Sequence, residues 1–367
     1  MDASQIARRF PLVPRPRPAS LPLTERVQEI HELARTAKQN GELAIAAAAL
    51  NRAALIASDC GLPDLARELC WRHAEIFLCA QPLGTQEARY ALEPLVNLAR
   101  LNIRGGDGEG AYHLLDTLNR AVRQQVDAVI GGSAVSFRRL TKTAEDRRAV
   151  CRWLWTVLLG DGTRALITAG QWERAREHAG QHKGIGRRLF DGRQVTIVSL
   201  CLEGDPASAL RTLEGSMPGE AWEQAVAACL ALLCIATAGL STAEAAPTAV
   251  REYKNLEATP ELVVFRTRLG LTALDLCPET SRVETASRII RDVVASGDGF
   301  VARETLAHPA CFEQMSARDR ALLSEAVSVA GLGRGSITSE LRRTLLEAVA
   351  VGSAAAERAL RAHPCRR

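Results

Sequence analysis

The chain has 367 residues, more than one ordinary core accommodates but natural for stacked helical hairpins. Alanine, leucine and arginine dominate and aromatics make up only 4%, a composition that favours helix throughout. The formal charge of +4 sits on the ends: residues 1–22 carry +3 and the last ten carry +4, leaving the body at −3. A phosphate-binding protein would carry its basic excess on the folded part, so direct nucleic-acid binding is disfavoured.

Of the 46 basic residues only Lys38, Lys142, Lys183 and Lys254 are lysine, a skew that suggests a GC-rich bacterial genome. The ten cysteines include no CxxC pair and mostly sit among Ala and Leu, where a free thiol acts as a small hydrophobe. That usage fits a reduced, cytoplasmic setting. Arg8-Arg9-Phe10 is followed by prolines rather than by the apolar core of an export signal. No stretch reaches the roughly 18 apolar residues needed to span a membrane.

In chain order, residues 1–22 interleave five prolines with arginines and predict a mobile, extended tail. Helices are expected over about 24–40, 42–59 and 63–79, broken by Gly41, Gly61 and the helix-starting Pro63. Two more cover about 86–104 and 109–124, around Gly105-Gly106-Asp107-Gly108. That cluster lacks the further ligands of a calcium loop and the Lys-Ser/Thr of a phosphate loop, so it reads as a turn. The pattern weakens from Val126 to Thr143, where a degenerate helical hairpin is expected, and a long helix follows from Ala144. Residues 220–238 are all but uncharged and predict a helix enclosed by neighbours. Thr259-Pro260-Glu261 reads as a helix start, and a second helix fills about 280–296. An irregular region runs from Gly297 through Pro309. Ser316 with Asp319 caps a helix to about 330, Gly331 to Gly335 form a turn, and a last helical stretch covers about 337–362, these shorter, more mixed elements reading as a terminal cap.

Between Gly160 and Gly215 the sequence reads twice as an apolar helix, a glycine, and an amphipathic helix with alanine five residues past the glycine. The pairs are Gly170/Ala175 and Gly204/Ala209, and the two glycines lie 34 residues apart. Gly61/Ala66 and Gly106/Ala111 share the offset, while Gly41/Ala46 matches locally but falls out of the repeat register. At Gly239 the period survives but the small residues drift to Ala243 and Ala245. With this frame, residues 42–255 resemble the tetratricopeptide repeat superfamily in a degenerate bacterial form. The family's early Trp and central Tyr are largely missing.

The resemblance implies an all-α solenoid of antiparallel hairpins, TPR-like. Its expected organisation is a disordered tail (1–22), helical repeats (23–255), a C-terminal helical extension (256–362) and a flexible tail (363–367). It also implies a concave face that holds a peptide or protein partner. Projected onto this chain, that face comprises Asn51, Asp59, Asn97, Arg100, Arg104 and Arg164. Some relatives hold a partner's terminal carboxylate with lysines and asparagines there, whereas this chain offers arginines and asparagines. The expected role is a cytoplasmic adaptor or regulatory protein, an accessory factor of a biosynthetic or signalling pathway. A homo-oligomer is compatible with it.

No dinucleotide loop, nucleophile elbow or carboxylate pair is recognisable, so no catalytic residue and no cofactor are expected. His178 and His182 stand four apart but lack a third ligand, and Cys70, His73 and Cys79 do not share one face, so no metal site is expected. His308-Pro309-Ala310-Cys311 stands without support from other residues. The alternative reading is a small-molecule sensor, or an enzyme without a motif, with a pocket lined by Trp153, Trp155 and Trp172.

Overall fold

A computed structural model describes residues 1–17 and 20–362. Among the described residues the chain is all-α but for one hairpin. It opens with α1 (Ala3–Arg9), α2 (Leu23–Asn40), α3 (Leu43–Asp59), α4 (Pro63–Leu78), α5 (Thr85–Arg104) and α6 (Gly108–Gln124). A two-stranded antiparallel hairpin follows, β1 (Asp127–Ile130) and β2 (Ser133–Ser136). Next come α7 (Ala144–Val157), a π turn at Leu158–Gly162, α8 (Thr163–Thr168), α9 (Trp172–Gln181), α10 (Asp191–Leu202) and α11 (Pro206–Glu214). Then come α12 (Ala221–Thr237), α13 (Ala246–Asn255), a short 3₁₀ turn at Pro260–Leu262, α14 (Val263–Leu276) and α15 (Glu279–Ser296). The chain ends with α16 (Gly299–Leu306), α17 (Pro309–Gln314), α18 (Ala317–Val329) and α19 (Ser339–Ala362).

The turn chemistry follows the sequence closely. Gly170 and Gly204 have φ of +74° and +83°, the left-handed region that closes one helix and admits the next. Ala175 and Ala209 are fully buried, as are Ala66 and Ala111. Gly41/Ala46, expected to be a chance match, is an authentic turn between α2 and α3, with φ of +72° and a buried alanine. Its distance of 20 residues from Gly61 is the length of one helix and turn, so the offset marks single turns as well as whole repeats. After Gly239 it is Ala246 and Ala249 that pack inside; Ala243 is exposed and Ala245 half-buried. Leucine fits neither the Ala175 nor the Ala209 site without displacing the facing helix. Ala175→Leu and Ala209→Leu should each destabilise the protein by roughly 1–3 kcal/mol through overpacking. Ala354→Leu, at an exposed position of the C-terminal helix α19, should change little, because the two residues have similar helix propensity. Denaturant midpoints of the three variants measure the difference.

The helices form two compact units whose borders differ from the expected ones. Unit I contains Met1–Ser20 and Leu166–Ala330; unit II contains Leu21–Ala165 and the chain from Gly331 onward. One border falls inside α8, where an unbroken helix offers no proline or glycine to mark it. The expected division at 255/256 corresponds to no border, and residues 363–367 lie outside the described ones.

In unit II, α2 to α6 pack in succession, while the alternate helices α3, α5 and α7 also touch one another and form the inner row. The weak stretch after Val126 is the β-hairpin rather than a helical one, turned at Gly131-Gly132 (φ +53° and +91°). The last helical stretch, expected over about 337–362, is one 24-residue helix. Its stripe of Leu345, Ala348, Val349, Gly352, Ala355 and Ala356 is buried, and α19 packs on α2 and α3.

In unit I the row repeats, with α10, α12, α14 and α16 touching in turn and α11, α13 and α15 outside. The apolar α12 is enclosed by α10, α11, α13 and α14, as expected. The region from Gly297 to Pro309 is helical, with Asp298 capping α16 through Phe300 N at 2.9 Å. The expected mobile tail is ordered through Arg17. Asp2 and Gln5 form a capping box on α1, and Ile6, Phe10 and Leu12 are buried in unit I. Those three apolar residues, hidden among prolines and arginines, supply the burial that the tail's overall composition conceals. Nine described cysteines are free thiols, seven of them buried as small hydrophobes.

Candidate functional site

The six residues singled out in the sequence all fall in unit II, five of them in two linked polar clusters on its inner row. Asn97, Arg100 and Arg104 project from one face of α5 at i, i+3 and i+7. Asn97, buried, donates to Asn51 Oδ1 on α3 at 2.6 Å and accepts from Arg100 Nη1 at 3.0 Å. Arg100 Nε and Nη2 donate to Asp161 Oδ2 at 3.0 and 2.8 Å, a two-point grip that fixes the plane of the guanidinium. The π turn carries Asp161 between α7 and α8.

The second cluster centres on Asp59, the last residue of α3. Its carboxylate accepts from Arg26 Nη2 at 2.5 Å and Arg104 Nη1 at 3.1 Å, and Arg104 Nη1 also donates to Ser58 Oγ. Arg100 and Arg104 keep 43% and 50% of their side-chain surface in solvent, while Asp59 and Asp161 keep 9% and 17%. The acids are therefore the buried braces and the guanidinium groups the exposed surface. Arg164 lies half-buried on α8 in the same unit. Sequence reasoning missed Arg26 and Asp161, which come from neighbouring elements and carry no local signal.

Between Ala54, Cys70, Leu101 and the side chains of Arg100 and Arg104 lies a depression of only about 30 Å³. That holds a water or two and no metabolite. A separate open cleft of about 960 Å³ in unit II runs between α4, the Gln81–Leu83 connector and the end of α19, and it includes none of the six. Trp153 lies half-buried in unit II with the Arg89 guanidinium 5.3 Å from its ring, Trp155 is exposed, and Trp172 is buried in unit I.

The described histidines sit in helices or at their ends. Burial pushes His73 down to about 3, so its imidazole is neutral, packed 5.4 Å from the Phe77 ring. His178 and His182 stack at the end of α9, centroids 4.4 Å apart. His308 caps α17 through Cys311 N and bonds Asp275 at 2.8 Å. Among the described residues no three His, Cys, Asp or Glu side chains gather into a metal-holding group.

No protein-family model matches the chain, and no curated protein matches it. Among solved structures, a chain described as "Circular tandem repeat protein with novel repeat topology and enhanced subunit contact surfaces" aligns with 91% of this chain and 84% of its own. The identity is 15% and the TM-score 0.20, too weak a superposition to transfer anything beyond its description. The helical-repeat fold stands on the hairpins and their alternate-helix rows. Among the described residues, no helix is long and apolar enough to cross a membrane.

Proposed function

We propose that this chain is a helical-repeat interaction scaffold of the tetratricopeptide kind. In this reading it is a cytoplasmic adaptor or regulatory protein that holds a peptide or protein partner on the inner row of unit II. The observation that carries the reading is the braced pair Arg100 and Arg104, half in solvent and fixed by buried Asp161 and Asp59. Three guanidinium groups face two carboxylates across the clusters, an excess that suits an acidic side chain or terminal carboxylate. The depression beside them, about 30 Å³, is too small to enclose a metabolite, so the guanidinium groups offer a contact surface rather than a pocket.

Affinity capture from the native host, followed by titration of the recovered partner, tests this. Arg100→Glu with Arg104→Glu should leave the helical circular dichroism intact and weaken binding at least about tenfold by placing like charges at the contact. An unchanged affinity in the double variant, or no saturable partner for the wild type, would overturn the assignment.

A further inference from the structure

We propose that the inner row of unit I is a second docking groove, for a peptide bearing apolar and arginine side chains that is helical in its first part and extended in its second, as the N-terminal segment is. Residues Met1–Arg17 are its built-in occupant, and a partner segment of the same chemistry replaces them. The groove lies in unit I and stands independently of the Arg100 and Arg104 clusters.

The N-terminal segment is held as peptide ligands are held, by its backbone first. Gln194 of α10 is fully buried, and its amide is spent on one residue of the segment. Leu12 N donates to Gln194 Oε1 at 2.7 Å, and Gln194 Nε2 donates to Leu12 O at 2.8 Å. A third bond, from Nε2 to Leu189 O at 2.7 Å, locks the orientation of the amide. Such a clamp reads main chain, so selectivity comes from the buried Leu12 side chain and the flanking positions.

Those positions alternate apolar anchors with arginines. Ile6, Phe10 and Leu12 are buried. Arg9 meets Asp275 of α14 at 3.2 Å, Arg15 meets Asp191 at the start of α10 at 2.6 Å, and Arg17 meets Asp298 at the cap of α16 at 2.9 Å. The Arg17 guanidinium also lies over the Phe300 ring at 4.1 Å. Three aspartates along the inner row thus answer three arginines along the segment. This charge complementarity defines the partner as a basic, apolar segment.

Two features make the occupant exchangeable rather than structural. Its outer side, including Ser4, Arg8, Arg15 and Pro16, is exposed, so it is laid onto the row and not threaded through it. Its departure would strand the Gln194 amide, so the groove favours one occupant or another over vacancy. Tethering gives the native segment an effective concentration near millimolar, and an incoming peptide must overcome this advantage.

The test uses the full chain with a specific protease site inserted between Ser20 and Leu21, folded first and then cut. The probe is a fluorescein-labelled peptide of residues 1–17. The cut protein should take up the peptide saturably, and the uncut protein at least about tenfold more weakly. Gln194→Leu in the cut protein should lower uptake about tenfold or more, and unlabelled peptide with Arg9, Arg15 and Arg17 changed to Glu should fail to compete. Arg100→Glu with Arg104→Glu should leave uptake unchanged, which separates this groove from the proposed partner face of unit II. Loss of helical signal on cutting that excess peptide does not restore would overturn the proposal. So would equal competition by the charge-reversed peptide. Concentration-dependent dimers that exclude the probe would overturn it in favour of exchange between copies of the chain.

Discussion

Glu223→Ala is expected to lower stability by about 3 kcal/mol, a large effect for one side chain. Glu223 sits in the first turn of α12, fully buried, and its carboxylate collects donors from the loops before α10 and before α12. Arg188 Nε donates at 2.7 Å and Arg188 Nη2 also bonds it; Leu189 N reaches Oε2 at 2.9 Å and Gly219 N reaches Oε1 at 3.1 Å. Alanine would orphan the backbone N–H of buried Leu189, at about 1–3 kcal/mol. It would also strip Arg188 of its main partner, although that guanidinium is 40% exposed and regains water and Glu220. The cost therefore falls near the lower end of the roughly 3–5 kcal/mol seen when a buried pair is broken.

Burial works to raise the Glu223 pKa, but Arg188 and the two N–H groups outweigh it and hold the carboxyl below its ordinary 4.5. A carboxyl depressed by folding stabilises the native state above its unfolded pKa, and that contribution fades as pH falls through the folded value. The stability gap between wild type and Glu223→Gln should therefore be widest near neutral pH and close in acid. Urea titrations of the pair across the acid range measure it, and a gap independent of pH would show that the charge contributes nothing.

The sequence made the turns legible because turn chemistry is local. A glycine at +φ and an alanine five residues on are decided by neighbours within one hairpin, and Gly170/Ala175 and Gly204/Ala209 carried that information intact. The Ser316–Asp319 capping box was legible for the same reason. The packing of α19 on α2 was not, since it joins residues some three hundred positions apart and a stripe of Leu345, Ala348 and Gly352 does not say which helix it meets. The Gly131-Gly132 pair did carry a hairpin signal, obscured because each strand is only four residues long. In the candidate site, Asn97, Arg100 and Arg104 were readable as one face of one helix. Their braces Asp161 and Arg26 were not, because residues on other elements share no periodicity with α5. The arginines of the N-terminal segment pointed toward a solvated tail, and only the aspartates of α10, α14 and α16 reveal them as contacts.

The same substitution at two helical glycines should have opposite signs. Glycine in a helix interior costs about 1 kcal/mol relative to alanine, so Gly→Ala gains that amount wherever a methyl fits. At Gly352 in α19 it fits. An added Cβ would lie 3.7 Å from Leu50 Cδ2 and 3.9 Å from Ala34 Cβ, ordinary contact distances that add apolar burial. Gly352→Ala should raise stability by about 0.5–1 kcal/mol. At Gly270 in α14 the methyl has no room, lying 2.8 Å from Tyr253 Cζ and 3.1 Å from Ile289 Cγ1. Neither neighbour can step aside, since both are buried and the Tyr253 hydroxyl is anchored 3.4 Å from Asp292 Oδ2. Overpacking of roughly 1–3 kcal/mol then exceeds the propensity gain, so Gly270→Ala should be a net loss of about 1 kcal/mol. Gly270→Leu, with three more carbons driven against the same ring, should lose about 3 kcal/mol or more. Denaturant midpoints of the three variants against wild type decide the matter. A stabilised Gly270→Ala would mean that α13 and α15 do not clasp α14 as closely as these distances require, and the inner row of unit I would be looser than its glycine implies.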